Sequence, residues 1–140
     1  MRKLLILMAA LLIPINAFAL MPPMTEEELK TESNTIVKGQ ITKVECTGKS
    51  KDKGCVKLTG YKATLKVNGV VKGSKAKELN LFFNKYDFKK GCVGSPDTVH
   101  LEGEEGLYYL ECKDNNCHLT HYNGIEYFKK GSTPLPKCKK

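Results

Sequence analysis

Six cysteines, three histidines and a knot of carboxylates are the side chains in this sequence with the means to do chemistry. Cys46, Cys55, Cys92, Cys112, Cys117 and Cys138 include no C-x-x-C pair. His100, His118 and His121 lack the usual zinc-finger spacing. The cysteines therefore read as disulfides, not as metal ligands or redox thiolates, and no cofactor is expected. Six cysteines admit many pairings, but two gaps suggest neighbours. Cys46 and Cys55 flank a polar loop, and Cys112 and Cys117 flank Lys113-Asp114-Asn115-Asn116, a turn composition. That leaves Cys92 for Cys138, a bond that would pin the tail.

A catalytic constellation is missing. On a strand, His118 and His121 fall on opposite faces, and all three histidines read as polar surface residues. Glu102, Glu104 and Glu105 adjoin Gly103 and Gly106 and read as a solvated loop. A general acid or base needs an apolar pocket to raise its pKa. Ser74 and Ser95 carry no nucleophile motif around them. The chain is thus expected to bind rather than to catalyse, and not to be an enzyme.

The best candidate surface combines aromatics with lysines: Lys85, Tyr86, Phe88, Lys89 and Lys90. Aromatic side chains beside lysines on a small barrel face can hold sugars or single strands. Phe82 and Phe83 read instead as core, since a small domain without tryptophan must fill itself with Phe and Tyr. The formal net charge is +8, with two of the positive charges on Arg2 and Lys3. Beyond Arg2 there is no arginine, so the guanidinium fork that base readout leans on is missing. Nucleic acid is disfavoured as a partner for that reason. A protein or a cell-envelope polymer is the expected one.

These residues need elements to position them. Residues 1–19 read as a cleaved signal peptide: basic Arg2 and Lys3, an apolar middle, then Ala17-Phe18-Ala19. The apolar middle is too short for a membrane span, which takes about 20 apolar residues. No later segment is apolar enough to cross a bilayer after cleavage. The product is expected to be exported, periplasmic or extracellular, where disulfides persist. Residues 20–34 form a lead and a short helix. Thr25 and Glu28 make a capping box, and Met24 and Leu29 a hydrophobic staple. Residues 35–128 read as strands. Val37, Gly39 and Ile41 alternate, and Val44 falls out of phase, predicting a bulge near Thr42-Lys43.

Tyr61, Ala63, Leu65 and Val67 alternate with polar residues. Further strands are expected over 79–83, ending in a charged stretch 84–90, then over 107–112, 117–122 and 125–128, with a short one at 98–101. Residues 129–140 form an irregular tail. The expected class is mainly β: a small, five-stranded, Greek-key, OB-like barrel with a short N-terminal helix, stapled by disulfides.

Certain landmarks resemble those of the netrin-like domains, the group containing the tissue inhibitors of metalloproteinases. Thr35-Ile36-Val37-Lys38-Gly39-Gln40-Ile41 resembles their first barrel strand. Tyr61-x-Ala63-x-Leu65-x-Val67-x-x-Val70-x-Lys72-Gly73 resembles the second and its exit turn. Gly91-Cys92-Val93, Gly106-x-Tyr108-Tyr109-Leu110 and Cys117-His118-Leu119 resemble the cysteine loop and the last two strands. The resemblance implies an OB-like fold, shared with exported bacterial proteins of unknown function. It also implies an alternative function, inhibition of secreted hydrolases. One departure counts against the familiar inhibitory mode. The inhibitors chelate zinc through a mature N-terminal cysteine, whereas the first cysteine here is Cys46.

Overall fold

The computed structural model describes residues 21–48, 50–94 and 98–139. The expected leader over 1–19 lies outside the described residues. Helix α1 (Glu26–Glu32) begins with the expected capping box. The Thr25 hydroxyl accepts from the Glu28 N–H at 3.2 Å, and the Glu28 carboxylate accepts from the Thr25 N–H at 2.8 Å. Three glutamates in its first turn suit the helix dipole. A helix of two turns is not stable alone. It is held because Leu29 packs with Ile36 and Tyr109, flanked by Met24 and Leu107.

Strand β1 (Thr35–Cys46) is the hub of the sheet. It pairs antiparallel with β3 (Val56–Lys72), and its first half also pairs with β5 (Glu105–Lys113). The predicted bulge is present. Ile41 faces Leu65 and Lys43 faces Thr64, so Thr42 is the extra residue. Ile41 and Val44 thereby both reach the core despite their odd spacing. Gly39 sits where the strands press together, and a Cβ there would meet the Lys66 carbonyl oxygen at 2.6 Å.

The remaining strands are β2 (Lys51–Asp52), β4 (Glu78–Phe88), β6 (Asn116–Leu119) and β7 (Ile125–Lys129). Pairing runs β1-β3-β4-β6-β5 and returns to β1, with β7 outside on β5 and β2 on β3. The β4–β6 contact is parallel, while the other pairings are antiparallel. The protein is mainly β with a single short helix among the described residues. Val37, Ile41, Ala63, Leu65, Leu81, Tyr108 and Leu110 fill the interior.

Three expectations about elements change. Strand β4 does not stop at Phe83 but continues to Phe88, because residues 84–88 pair with 56–60 of a longer β3. No strand forms at 98–101, and β6 ends at Leu119.

The disulfides also correct the expected pairing. Cys112–Cys117 forms as expected, the two residues facing each other across the β5–β6 hairpin. Cys46–Cys55 and Cys92–Cys138 do not form; the bonds are Cys46–Cys138 and Cys55–Cys92. The extension of β3 and β4 is the reason. In the β1–β3 register Cys46 faces Tyr61, so Cys55 lies well beyond it. Val56 faces Phe88 at the far end of β4, which brings Cys55 to Cys92. The end of β1 is left for the returning tail.

Candidate functional site

Strands β4 and β6 pair only at Asn80–Asn116 and Leu81–Cys117, then part. Between the remainder of β4 and residues 118–122 lies a cleft of about 570 Å³. Period-two alternation brings Phe82, Asn84, Tyr86 and Phe88 to one wall. Phe82, Tyr86 and Phe88 are 39%, 38% and 40% exposed, too open for core residues. The Tyr86 and Phe88 rings lie 6.4 Å apart with planes 17° from parallel. Gly94 backs this platform, since a Cβ there would run into the Phe88 ring. Phe83 stacks on Tyr61 at 5.3 Å and presents His100 with an edge contact at 5.1 Å.

All three histidines reach the cleft wall. His118 is exposed and lies 3.2 Å from Glu111. His121 Nδ1 donates to the Asn123 side-chain oxygen at 2.7 Å. That oxygen also accepts from the Met24 N–H, while Asn123 Nδ2 donates to the Met24 carbonyl. The shared acceptor places the His121 proton on Nδ1. Among the described residues, no three His, Cys, Asp or Glu side chains come together in a way that could hold a metal ion.

His100 was expected at the surface and Glu104 in a solvated loop; both are buried, at 0% and 2% exposed. His100 Nδ1 lies 2.7 Å from Glu104 Oε1, and the same oxygen accepts from the Tyr108 hydroxyl at 2.8 Å. His100 Nε2 is buried without a hydrogen-bond partner. The loop turns inward at Gly103, where φ is +89°. The Gly103 N–H donates to the Ile41 carbonyl, and the Ile41 N–H donates to the Glu104 carbonyl. Glu102 is held as well, its carboxylate accepting from the Val44 N–H beside the bulge. One signal would have placed Glu104. Counting back by twos from Leu110 and Tyr108 reaches Gly106 and Glu104, and all four are buried.

Burial raises the Tyr108 pKa well above the ordinary phenol range, and the negative Glu104 adds to the rise. Burial raises Tyr109 and Tyr127 too. A phenol whose folded pKa exceeds its unfolded value of about 10 holds its proton better when folded. Its stabilisation is complete below about pH 10 and is lost as the pH climbs beyond that. Urea midpoints measured at rising alkaline pH should therefore fall, and Tyr108→Phe should fall less steeply. Equal slopes would remove Tyr108 from the effect.

The sequence-predicted surface is divided by the strand. Tyr86 and Phe88 enter the cleft, whereas alternation turns Lys85 and Asp87 to the other face, where they pair at 3.6 Å. Lys89 bonds Asp52 at 3.0 Å, and Lys90 is exposed beyond the strand end. No lysine, aspartate or glutamate lines the cleft among the described residues.

All six cysteines are paired, which is compatible with an oxidising environment. No helix among the described residues is long and apolar enough to cross a membrane. No family model matches the chain, and neither a curated protein nor a solved structure matches it.

Proposed function

We propose that this protein is an exported, disulfide-stapled binding module on a netrin-like, OB-like barrel, and that the aromatic cleft is its binding site. The observation that carries this is the row Phe82, Tyr86 and Phe88, kept half-open along one wall of a cleft. Concave sites lined by aromatic groups with a few convergent polar ones are where small ligands and polymer segments bind. The barrel reading is supported by the return of the strand order to β1 and by the parallel β4–β6 contact. The netrin-like resemblance draws support from where four of its five segments fall, on β1, β3, β5 and β6, with Gly91-Cys92-Val93 in the loop after β4. Export is supported by the three disulfides. The partner is a protein or a cell-envelope polymer that offers apolar surface to the rings.

A fragment screen by amide chemical shifts tests the site independently of the ligand. Bound fragments should shift residues 82–88, 98–100 and 118–122, and Tyr86→Ser with Phe88→Ser should erase the shifts. Shifts confined to other surfaces would overturn the assignment.

A further inference from the structure

We infer that the end of the molecule where β3 begins and β4 stops is a docking surface for an anionic lipid bilayer. Val93 enters the headgroup boundary there, and the surrounding lysines meet the lipid phosphates. This surface goes beyond the cleft and does not depend on what fills it.

The tip is built from residues 51–57 and 85–94. The Lys53 N–H donates to the Val56 carbonyl in one turn, and the Cys92 N–H donates to the Lys89 carbonyl in the other. The Lys89 N–H donates to the Cys55 carbonyl, and its ammonium donates to both Asp52 oxygens at 3.0 Å. The Cys55–Cys92 bond then ties the two turns covalently. A surface held in this way is ordered before it meets a partner, so docking loses little chain entropy.

Val93 stands out from that frame at 94% exposed, the most exposed large apolar side chain among the described residues. Gly94, the next residue, lies against the half-exposed Phe88 ring, so apolar surface gathers at this end. A lone surface valine is ordinary. One set in a locked turn among lysines matches a bilayer, which offers hydrocarbon below its phosphates. A soluble polyanion would meet the lysines and leave Val93 in water.

Charge sets the direction of approach. The tip carries six lysines against two aspartates. Both aspartates are engaged, Asp52 with Lys89 and Asp87 with Lys85. The field of Lys51, Lys53, Lys57 and Lys90 is left to face outward. Asp97, outside the described residues, is the next acid along the chain and still leaves lysine in surplus. The far end of β3 also has exposed valines, Val70 and Val71, and three lysines, Lys72, Lys75 and Lys77. There, however, Lys72 Nζ donates to the Lys30 carbonyl, which sets that turn beside α1 and its four glutamates. The two ends of β3, 17 residues long, lie several Debye lengths of about 8 Å apart. An anionic surface therefore turns the basic tip toward itself.

The test is cosedimentation of the oxidised protein from Leu20 onward, so that the apolar leader cannot itself insert. One set of vesicles is pure phosphatidylcholine; the other adds phosphatidylglycerol. Binding at physiological salt should require phosphatidylglycerol. Combining Lys51→Gln, Lys53→Gln and Lys90→Gln should weaken it about a hundredfold, at about fivefold per lysine. Val93→Ser should weaken it roughly threefold to tenfold. Combining Lys72→Gln, Lys75→Gln and Lys77→Gln removes the same charge from the far end and should leave binding nearly unchanged.

No binding to the anionic vesicles would overturn the inference. Equal weakening by the two lysine triples would overturn it too, since net charge alone would then explain the binding. So would tighter binding of soluble heparin that ignores Val93→Ser, which would give the tip to a polyanion. Fragment binding in the cleft is read separately, so either surface can fail without the other.

Discussion

Replacing Cys46 and Cys138 together by serine should lower unfolding stability by about 4–5 kcal/mol. The bond spans a sequence separation of 92 residues, so its loss frees most of the chain in the unfolded state. Cys112 and Cys117 are only 5 apart, and the matching serine pair should cost about 2 kcal/mol. Loop length is not the sole difference between them. Leu135 and Cys138 of the tail pack on the core, so cutting the tail loose also exposes apolar surface. A domain whose total stability is about 5–15 kcal/mol would be close to unfolding without the longer bond. Urea denaturation of the oxidised variants measures both values. Equal losses for the two serine pairs would refute the dependence on loop length.

Glu104→Leu is expected to rank next, at about 3–5 kcal/mol, the usual penalty for removing one partner of a buried polar or charged pair. Leucine would fill the space and strand two buried donors, His100 Nδ1 and the Tyr108 hydroxyl, both now bonded to Glu104 Oε1. Glu104→Gln retains an acceptor oxygen and should cost about 1–2 kcal/mol. Thermal and urea unfolding give the two losses. A protected imidazole N–H resonance of His100 should be present in the parent protein and in Glu104→Gln, and absent in Glu104→Leu. A fully stable Glu104→Leu would mean that the network contributes nothing to holding β5 and its preceding loop in place.

What was legible in the sequence was local. Thr25 and Glu28 announce α1 because a capping box is complete within four residues. The bulge at Thr42 is legible because Val44 breaks the alternation that Ile41 continues. The hairpin bond Cys112–Cys117 needs only a turn. The other two disulfides depend on how far β3 and β4 run together, and that register is set by pairing between distant segments. Glu104 looked solvated because its neighbours are glycines and glutamates; its burial follows from Gly103 and from the bonds of that loop to Ile41. The candidate surface was half legible. Tyr86 and Phe88 stand out in the sequence, but a window of consecutive residues mixes both faces of a strand, so the lysines come with them. Phe82 reads as core in the sequence and lies in the cleft instead, because β4 outruns β6 after Leu81.

The tail bond has a mechanical consequence. Strand β7 borders β5 at the outside of the sheet, and a pull on the chain beyond it would unzip those rungs one after another. The Cys46–Cys138 bond diverts the load before it reaches β7. Tension applied past Cys138 passes through the sulfurs into the end of β1, which is laced to β3 along its length and to β5 over its first half. Many rungs then share the force at once. That end of the molecule is the place to tether it to a bead or a surface with its cleft still intact.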